Sequence, residues 1–191
     1  NLKAIPYKDL LGMKGDMAGA AAVLGTAIAL SEIKPGVPVT VVAPLTMNSI
    51  GSRAIIPGDV VRSYSGKTVE IQNTDAEGRL ILADAVHYAV KEKAALIVDV
   101  ATLTGACAVA LGEYHSGLFC NQDDLQEELL EASISGGEPA WPMPLSPRYG
   151  EELKSSVADL SNMGKARNGG ASLEAKLDRR STRLNSSHVK R

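Results

Sequence analysis

The sequence contains few aromatic residues and few cysteines. Phe119 and Trp141 are its only phenylalanine and tryptophan, and aromatic residues make up 4% of the chain. The core must therefore be packed mainly by aliphatic side chains. Two cysteines, Cys107 and Cys120, are too few for a secreted module held together by disulfides. This count favours a reducing compartment, and we expect a cytoplasmic protein.

The sequence also lacks a long hydrophobic run and an excess of charge of one sign. The longest apolar stretch, 17–30, is about 14 residues, whereas a helix that crosses a bilayer needs roughly 20. The 20 Lys and Arg residues nearly balance the 22 Asp and Glu residues, for a net charge of −2. There is no basic field for nucleic acid or anionic lipid, so we expect neither nucleic acid nor a membrane as a partner.

The length and composition are those of a globular protein. The 191 residues, 45% of them hydrophobic, suit one domain or a piece of a larger one. The chain does not open with charged residues followed by an apolar run, which is the pattern of a signal peptide. The first residue is Asn1, so we expect the true N-terminus to be missing.

The first half of the chain shows helix and strand patterns in alternation. Residues 17–32 are apolar on nearly all faces, which predicts a helix covered on both sides, with Asp16 as its cap. The β-branched run 39–43 predicts a strand buried on both faces. Residues 67–72 alternate, which predicts a strand with Val69 and Ile71 on one side.

The second half continues this alternation. Apolar positions recur at helical spacing over 79–93, and 95–100 resembles a buried strand. A turn at 102–105 leads into a short helix over 106–111, and 121–133 predicts a helix with an Asn cap. The whole pattern predicts an α/β fold, a three-layer domain with a largely parallel central sheet flanked by helices, incomplete at both ends.

The last fourteen residues break this pattern. Residues 178–191 carry five Arg or Lys and one Asp, with almost nothing to bury. One interpretation is a solvated basic tail. The other is that the tail is not native, because a common sequencing-adapter read encodes DRKSTRLNSSH, which matches 178–188 at all but one position. We therefore expect the tail to be non-native or disordered, and without it the chain is more acidic than −2.

The segment NTDAEGRL, at 73–80, lies between a predicted strand and a predicted helix, where the active sites of α/β sheets are found. In an extended segment Asp75 and Glu77 would project to the same side and could hold one divalent cation. Arg79 would add a fixed positive charge able to hold a small anion. By spacing alone, a solvated acidic turn at the start of a helix is the favoured interpretation.

Other candidates are weaker when taken alone. Asp16 suits a helix cap, and a buried thiol is the usual explanation for Cys107. The three histidines do not form a ligand cluster. No serine-nucleophile elbow or phosphate-binding loop occurs.

Three segments together resemble the leucine aminopeptidase (cytosol aminopeptidase) family. They are MKGDMAGAAAVLG at 13–25, NTDAEGRL at 73–80 and VDVATLTGA at 98–106, in the family's order. The resemblance covers roughly residues 1–172 and implies that 1–177 is part of a C-terminal catalytic domain. It implies a homo-hexameric hydrolase that releases N-terminal amino acids from peptide substrates, with a leucine-type preference.

The resemblance also implies the site. Asp16, Asp75 and Glu77 match metal ligands for two divalent cations, Mn²⁺ or Zn²⁺, with Mg²⁺ as a third candidate. Arg79 matches the arginine that holds a bicarbonate-like anion, and Lys3 matches the lysine that polarises the peptide carbonyl. The positions that match the family's substrate pocket are Met13, Asn73, Thr102, Leu103 and Gly105.

The sequence departs from the family upstream of Lys3. A ligand lysine in a Gly-Lys-Gly turn and a bridging aspartate are not in this chain. Because metal affinity depends on the number and geometry of the ligands, we expect this chain alone to be weakly active or inactive. The alternative is a non-catalytic relative that serves as a binding or scaffold protein.

Overall fold

The computed structural model of the protein describes residues 12–47, 51–164, 170–172, 175 and, for the backbone alone, 186–190. The helices are α1 Ala18–Ile33, α2 Gly78–Lys91, α3 Gly105–Leu111, α4 Asp123–Ser135 and α5 Tyr149–Glu152, with a 3₁₀ turn at Met13–Gly15. The strands are β1 Val60–Arg62, β2 Thr68–Glu70, β3 Ile97–Ala101, β4 Ser116–Phe119, β5 Ala140–Pro142, β6 Leu160–Ser161 and β7 Ser186–Lys190. Helices and strands alternate along much of the chain, which confirms the α/β class.

The described strands form two mixed sheets. One has the order β1-β2-β6, in which β2 pairs antiparallel with β1 and parallel with β6. The other has the order β3-β7-β4-β5, in which β7 pairs parallel with β3 and antiparallel with β4. Parallel pairs therefore occur in both sheets, and within the described residues β3 is an edge strand.

Two small hydrophobic clusters form the core of the described structure. One joins Val69 of β2 to Leu153 and Leu160, with Leu80 of α2 packed against it. The other joins Cys107 of α3 to Phe119 of β4, together with Ala171 and Ala175. Aliphatic side chains dominate the first cluster, as the low aromatic content predicts.

Several sequence predictions are confirmed. Helix α2 places Ala83 and Val86 on its buried face, and β2 buries Val69, with Ile71 buried just beyond the strand. Helix α3 begins after Thr104, whose hydroxyl accepts a hydrogen bond from the Ala106 amide at 3.1 Å. That prediction rested on the turn and the small-residue run after it, and the Thr104 cap is an addition from the structure.

The prediction of a strand at 39–43 is wrong, because the structure shows no ladder there. A β-branched run becomes a strand only if a neighbouring strand offers its backbone groups. Strand β3 is also less buried than expected: Val98 is exposed, whereas Ile97 and Asp99 are buried. That pattern fits a strand with one open face.

The prediction that both sides of α1 are covered is also wrong. Gly19 is its only buried residue, and Leu24, Ile28 and Ile33 are exposed. Nor does Asp16 cap the helix, because the N-cap position is Met17 and no side chain makes a capping hydrogen bond. The apolar faces find no covering layer within the described part of the chain.

Helix α4 begins later than expected. Its N-cap is Gln122 rather than Asn121, and no side-chain capping bond is present. Asp123 and Asp124 occupy its first turn, where negative charge is favourable to the helix dipole. The helix therefore forms without the predicted cap, and the predicted acidic start is present.

Part of the tail forms strand β7, which lies between β3 and β4. Its backbone pairs run from Ile97 with Ser186 to Ala101 with Lys190. The non-native origin of residues 178–191 stays a prediction, because strand pairing does not report where a sequence comes from. Among the helices described, none is both long and apolar enough to cross a membrane.

Candidate functional site

The segment 73–77 forms a turn rather than the extended strand that the spacing suggested. The Asn73 side-chain oxygen accepts a hydrogen bond from the Asp75 amide at 2.9 Å, and the Asn73 carbonyl accepts one from Ala76 at 3.2 Å. An asparagine that bonds to the backbone two residues later forms an Asx turn. The argument that Asp75 and Glu77 alternate to one side is therefore wrong, because it needed extended backbone.

The two acidic side chains of this turn are exposed. Glu77 occupies the N-cap position of α2 with φ −73° and ψ −35°, and its carboxylate makes no capping hydrogen bond. Its side chain therefore does not serve the helix as a cap. The attraction of an acidic side chain to the helix dipole needs no capping bond, so the interpretation as an acidic helix start stands beside the metal-ligand one.

Arg79 follows the turn as the second residue of α2 and is buried. Its side chain is 7% exposed, and Nη1 donates a hydrogen bond of 2.9 Å to the Asn162 carbonyl. A guanidinium has five N–H donors, so this contact fixes the direction of the group while using one of them. A buried arginine held by a backbone carbonyl is a preorganised positive charge.

The three sequence segments meet at the carboxyl end of β3. A Cβ atom built on Gly78 would lie 2.9 Å from Leu103 Cδ1, which shows that the turn before α2 contacts the loop after β3. A Cβ on Gly19 would lie 2.6 Å from the Val100 carbonyl oxygen and 3.1 Å from the Thr102 amide nitrogen. The start of α1, which follows Asp16, therefore packs against the same loop.

The donor atoms suit a hard cation, but the described residues do not complete a site. Carboxylate oxygens such as those of Asp16, Asp75 and Glu77 are the ligands that hard divalent cations prefer. Across residues 12–47, 51–164 and the shorter described stretches, no three His, Cys, Asp or Glu side chains form a group that could hold a metal ion. The three carboxylates are thus not gathered into one ligand set, and Lys3 lies outside the described residues. Their roles stay predictions.

The predicted pocket residues lie on the same converging loops. Met13 is exposed on the 3₁₀ turn, Asn73 is half-buried on the turn before α2, and the other three follow β3, namely Thr102, Leu103 and Gly105. Asn73 Nδ2 also approaches Met163 Sδ at 3.9 Å. The structure places these residues on the three motif segments, and their gathering into one substrate pocket stays a prediction.

The sequence reasoning missed Asn162. This residue is 0% exposed, and its side chain bonds to the backbone of Gln72 and Asn73. It belongs to residues 153–163, which we call the docked segment because β6 within it pairs with β2. The only signal for it in the sequence was an asparagine among turn-forming residues, because its partners lie about 90 positions earlier.

The docked segment has a second polar anchor, at Asp159. The Thr68 amide and the Thr68 hydroxyl each donate a hydrogen bond of 2.8 Å to Asp159 Oδ2, and the Asp159 amide donates one of 3.0 Å to the Thr68 hydroxyl. The amide and hydroxyl bonds from Thr68 lower the pKa of the Asp159 carboxyl below its ordinary value of 3.8. This anchor lies at the opposite end of β2 from residues 73–77, which we call the acidic turn.

Comparison with protein families identifies a match over most of the chain. Residues 1–182 match the catalytic domain of the cytosol aminopeptidase family. A probable cytosol aminopeptidase from Polaromonas naphthalenivorans is 53% identical over 172 residues, which are 90% of this chain and 34% of that protein. One from Methylibium petroleiphilum is 52% identical over 166 residues, 87% of this chain and 34% of that protein. The chain thus spans about a third of the length of these curated relatives.

A solved structure shows the same fold. A mutant of tomato leucine aminopeptidase superposes with a TM-score of 0.84 at 46% sequence identity. The match covers 93% of this chain and 35% of the tomato chain. Both the sequence and the backbone therefore resemble the same part of longer proteins.

Proposed function

Because the chain belongs to the cytosol aminopeptidase family, we propose that it is part of the catalytic domain of a metal-dependent aminopeptidase. The observation that carries this proposal is the meeting of three motif segments at the end of β3, through Gly19 and Gly78. Separate segments of an α/β fold that converge at a strand end form a typical catalytic site. The substrates would be peptides with a leucine-type N-terminal residue.

The proposed metal ligands are Asp16, Asp75 and Glu77. Two of them lie on a turn fixed by its own hydrogen bond, from Asp75 to Asn73. All three are exposed carboxylates, so they present oxygen donors to a cation at no cost of burial. Bound divalent cations, Mn²⁺ or Zn²⁺ and also Mg²⁺, would lower the pKa of a water molecule and supply the hydroxide for hydrolysis.

The proposed catalytic residues are Lys3 and Arg79. The Lys3 ammonium would donate to the peptide carbonyl oxygen and stabilise its negative charge as the water oxygen adds to the carbonyl carbon. Arg79 would hold a bicarbonate-like anion, and the proton of the attacking water would then pass to the leaving amine. The buried position of Arg79 supports this role, because a fixed charge needs little reorganisation.

The remaining details of the proposal are the pocket, the assembly and the boundary. Met13, Asn73, Thr102, Leu103 and Gly105 would line the substrate pocket. The full-length protein would be a cytoplasmic homo-hexamer, a location that the family name supports. Residues 1–177 would belong to the catalytic domain and 178–191 would not, although the family match runs on to residue 182.

A non-catalytic scaffold is the second candidate. The observation in its favour is that the described residues hold no group of three metal-binding side chains. A protein of this kind would keep the family fold and bind partners without hydrolysis. The two candidates differ in their response to metal and to loss of Glu77.

The test uses a chimera in which this chain's matched segment of 172 residues replaces the corresponding part of the Polaromonas naphthalenivorans protein. We expect the chimera to hydrolyse leucine p-nitroanilide in the presence of Mn²⁺. Glu77→Ala should lower kcat/KM by about 100-fold or more, because loss of one ligand weakens the site that activates water. The matched control is Glu128→Ala, which removes another exposed carboxylate, on α4, and should retain activity.

Equal turnover by the Glu77→Ala and Glu128→Ala chimeras would remove Glu77 from the ligand set. A chimera that folds and binds Mn²⁺ but hydrolyses nothing would favour the scaffold. The first result would overturn the role of Glu77, and the second would overturn the proposed hydrolysis.

A further inference from the structure

The Asn162 side chain makes three hydrogen bonds with the backbone at residues 72–73. Its Oδ1 accepts hydrogen bonds from the Gln72 amide at 2.8 Å and the Asn73 amide at 3.3 Å. Its Nδ2 donates to the Asn73 carbonyl at 2.7 Å. The side-chain amide thus acts as both acceptor and donor at the point where β2 ends and the acidic turn begins.

The backbone of Asn162 contacts residues on both sides of the turn. Its carbonyl accepts the 2.9 Å bond from Arg79 Nη1, and its amide donates to the Glu70 carbonyl at 2.9 Å. One buried residue therefore holds the strand that precedes the turn, the first residue of the turn and the arginine that follows it. The positions of Asn73 and Arg79 relative to each other depend on Asn162.

The constraint extends to the acidic residues through Asn73. Asn162 fixes both backbone groups of Asn73, and the Asn73 side chain in turn bonds to the Asp75 amide at 2.9 Å. Asp75 has no need of a direct contact with Asn162 to be oriented by it. Mutation of a residue that orients a metal ligand through hydrogen bonds commonly changes metal affinity by about 10–100-fold.

Attachment of the docked segment does not explain these bonds. The segment is already attached to β2 by the pairing of Leu160 with Val69 and by the bonds between Thr68 and Asp159. The Asn162 side chain adds no partner along the middle of that strand. Its partners are Gln72, just before the turn, and Asn73, the first residue of the turn.

We propose that Asn162 is a positioning residue, which sets the geometry of the acidic turn and of Arg79 for the aminopeptidase reaction. The proposal rests on the proposed function for its consequence, since it assigns the metal ligands to that turn. Its structural part, that Asn162 orders the backbone at residues 72–75, stands independently.

The test measures Mn²⁺ affinity of the chimera by isothermal titration calorimetry. Asn162→Ala removes the acceptor of the Gln72 and Asn73 amides and one of the two donors to the Asn73 carbonyl, and we expect it to weaken Mn²⁺ binding by about 10–100-fold. The control is Leu153→Ala, which removes buried packing in the same docked segment without touching the turn. A purely structural role would make the two variants alike in affinity after a similar loss of melting temperature.

A second measurement follows the turn itself in the 191-residue chain. Hydrogen exchange at the amides of Gln72, Asn73 and Asp75 should be about 10-fold faster or more in Asn162→Ala than in Leu153→Ala of similar melting temperature. If Asn162→Ala does not fold, Asn162→Ser takes its place, because one hydroxyl can restore part of the bonding. Exchange rates equal to those of the control would overturn the proposal, whether or not metal binds.

The two measurements separate the possible failures. An unmodified chimera that binds no Mn²⁺, together with faster exchange in Asn162→Ala, would contradict the proposed metal site and keep the positioning role. An unmodified chimera that binds Mn²⁺, together with Asn162→Ala affinity within twofold of the Leu153→Ala control, would contradict the positioning role and keep the proposed function.

Discussion

The docked segment and helix α1 differ in how much of their apolar surface is buried. In the docked segment, Leu153 is 0% exposed and Leu160 is 4% exposed, and both pack on β2. In α1, Leu24 is 51% exposed and Ile28 is 66% exposed. Leu153 and Leu160 are covered within the described residues, although Val157 of the same segment is exposed, whereas α1 presents a row of apolar side chains that a stable helix normally covers.

The residues after α1 share this exposure. Val37, Val39 and Val41 line one side of a groove of about 320 Å³ whose other side is α1. These alternate positions face one way, as in a strand, although no ladder forms there. The difference between the regions shows that the docked segment is packed against this chain's own residues. Helix α1, in contrast, has no covering layer among the described residues.

The largest expected difference between the two regions is in stability. Leu153→Ala should lower the free energy of unfolding by about 2–5 kcal/mol, because it leaves a cavity in a buried cluster. Leu24→Ala should change it by less than about 1 kcal/mol, because the side chain is half in solvent. Urea unfolding of the 191-residue chain measures both, and equal losses would mean that α1 is as well covered as the docked segment.

A glycine pair within α1 tests where that helix is packed. Gly19→Ala should destabilise the protein by about 1–3 kcal/mol, since the new methyl group would meet backbone atoms of Val100 and Ala101 at 2.6 and 2.8 Å. Gly25→Ala should stabilise it by about 0.5–1 kcal/mol, since nothing lies within 4 Å of the added atom. Thermal unfolding of the two variants should give opposite signs; a stabilising Gly19→Ala would contradict the contact between α1 and β3.

The smallest expected effect concerns the pH dependence of the docked segment. The folded pKa of Asp159 lies below 3.8 because of the Thr68 bonds, so its contribution is present above about pH 3.8 and is lost as the pH falls through the folded value. The urea midpoint of the unmodified protein should therefore fall more between pH 5 and pH 3 than that of Asp159→Asn. Asp124→Asn, on α4, should follow the unmodified protein; identical curves for all three would remove Asp159 as an anchor.

Local signals in the sequence predicted the elements that depend on local contacts. The spacing of apolar residues predicted α2, and the turn before α3 predicted its start, where Thr104 caps the helix. Neither element needs a distant partner to be recognised. The motifs also predicted which loops would carry the candidate site, through a family resemblance that residues 1–182 confirm.

Non-local contacts explain what the sequence did not predict. The run 39–43 has strand-forming residues, but a strand also needs a neighbour, and sequence spacing does not supply one. Asn162 bonds to residues about 90 positions away, which no local pattern reports. The same-side argument for Asp75 and Glu77 failed because the Asn73 side chain bends the backbone into a turn.

The central claim is that the acidic turn at the end of β2 binds the metal of an aminopeptidase site. Its most direct test is a Mn²⁺ titration of the chimera by calorimetry, with Glu77→Ala compared with Glu128→Ala. The account predicts that Glu77→Ala weakens Mn²⁺ binding by at least about 10-fold while Glu128→Ala leaves it unchanged. Equal Mn²⁺ affinity in the two variants would contradict it.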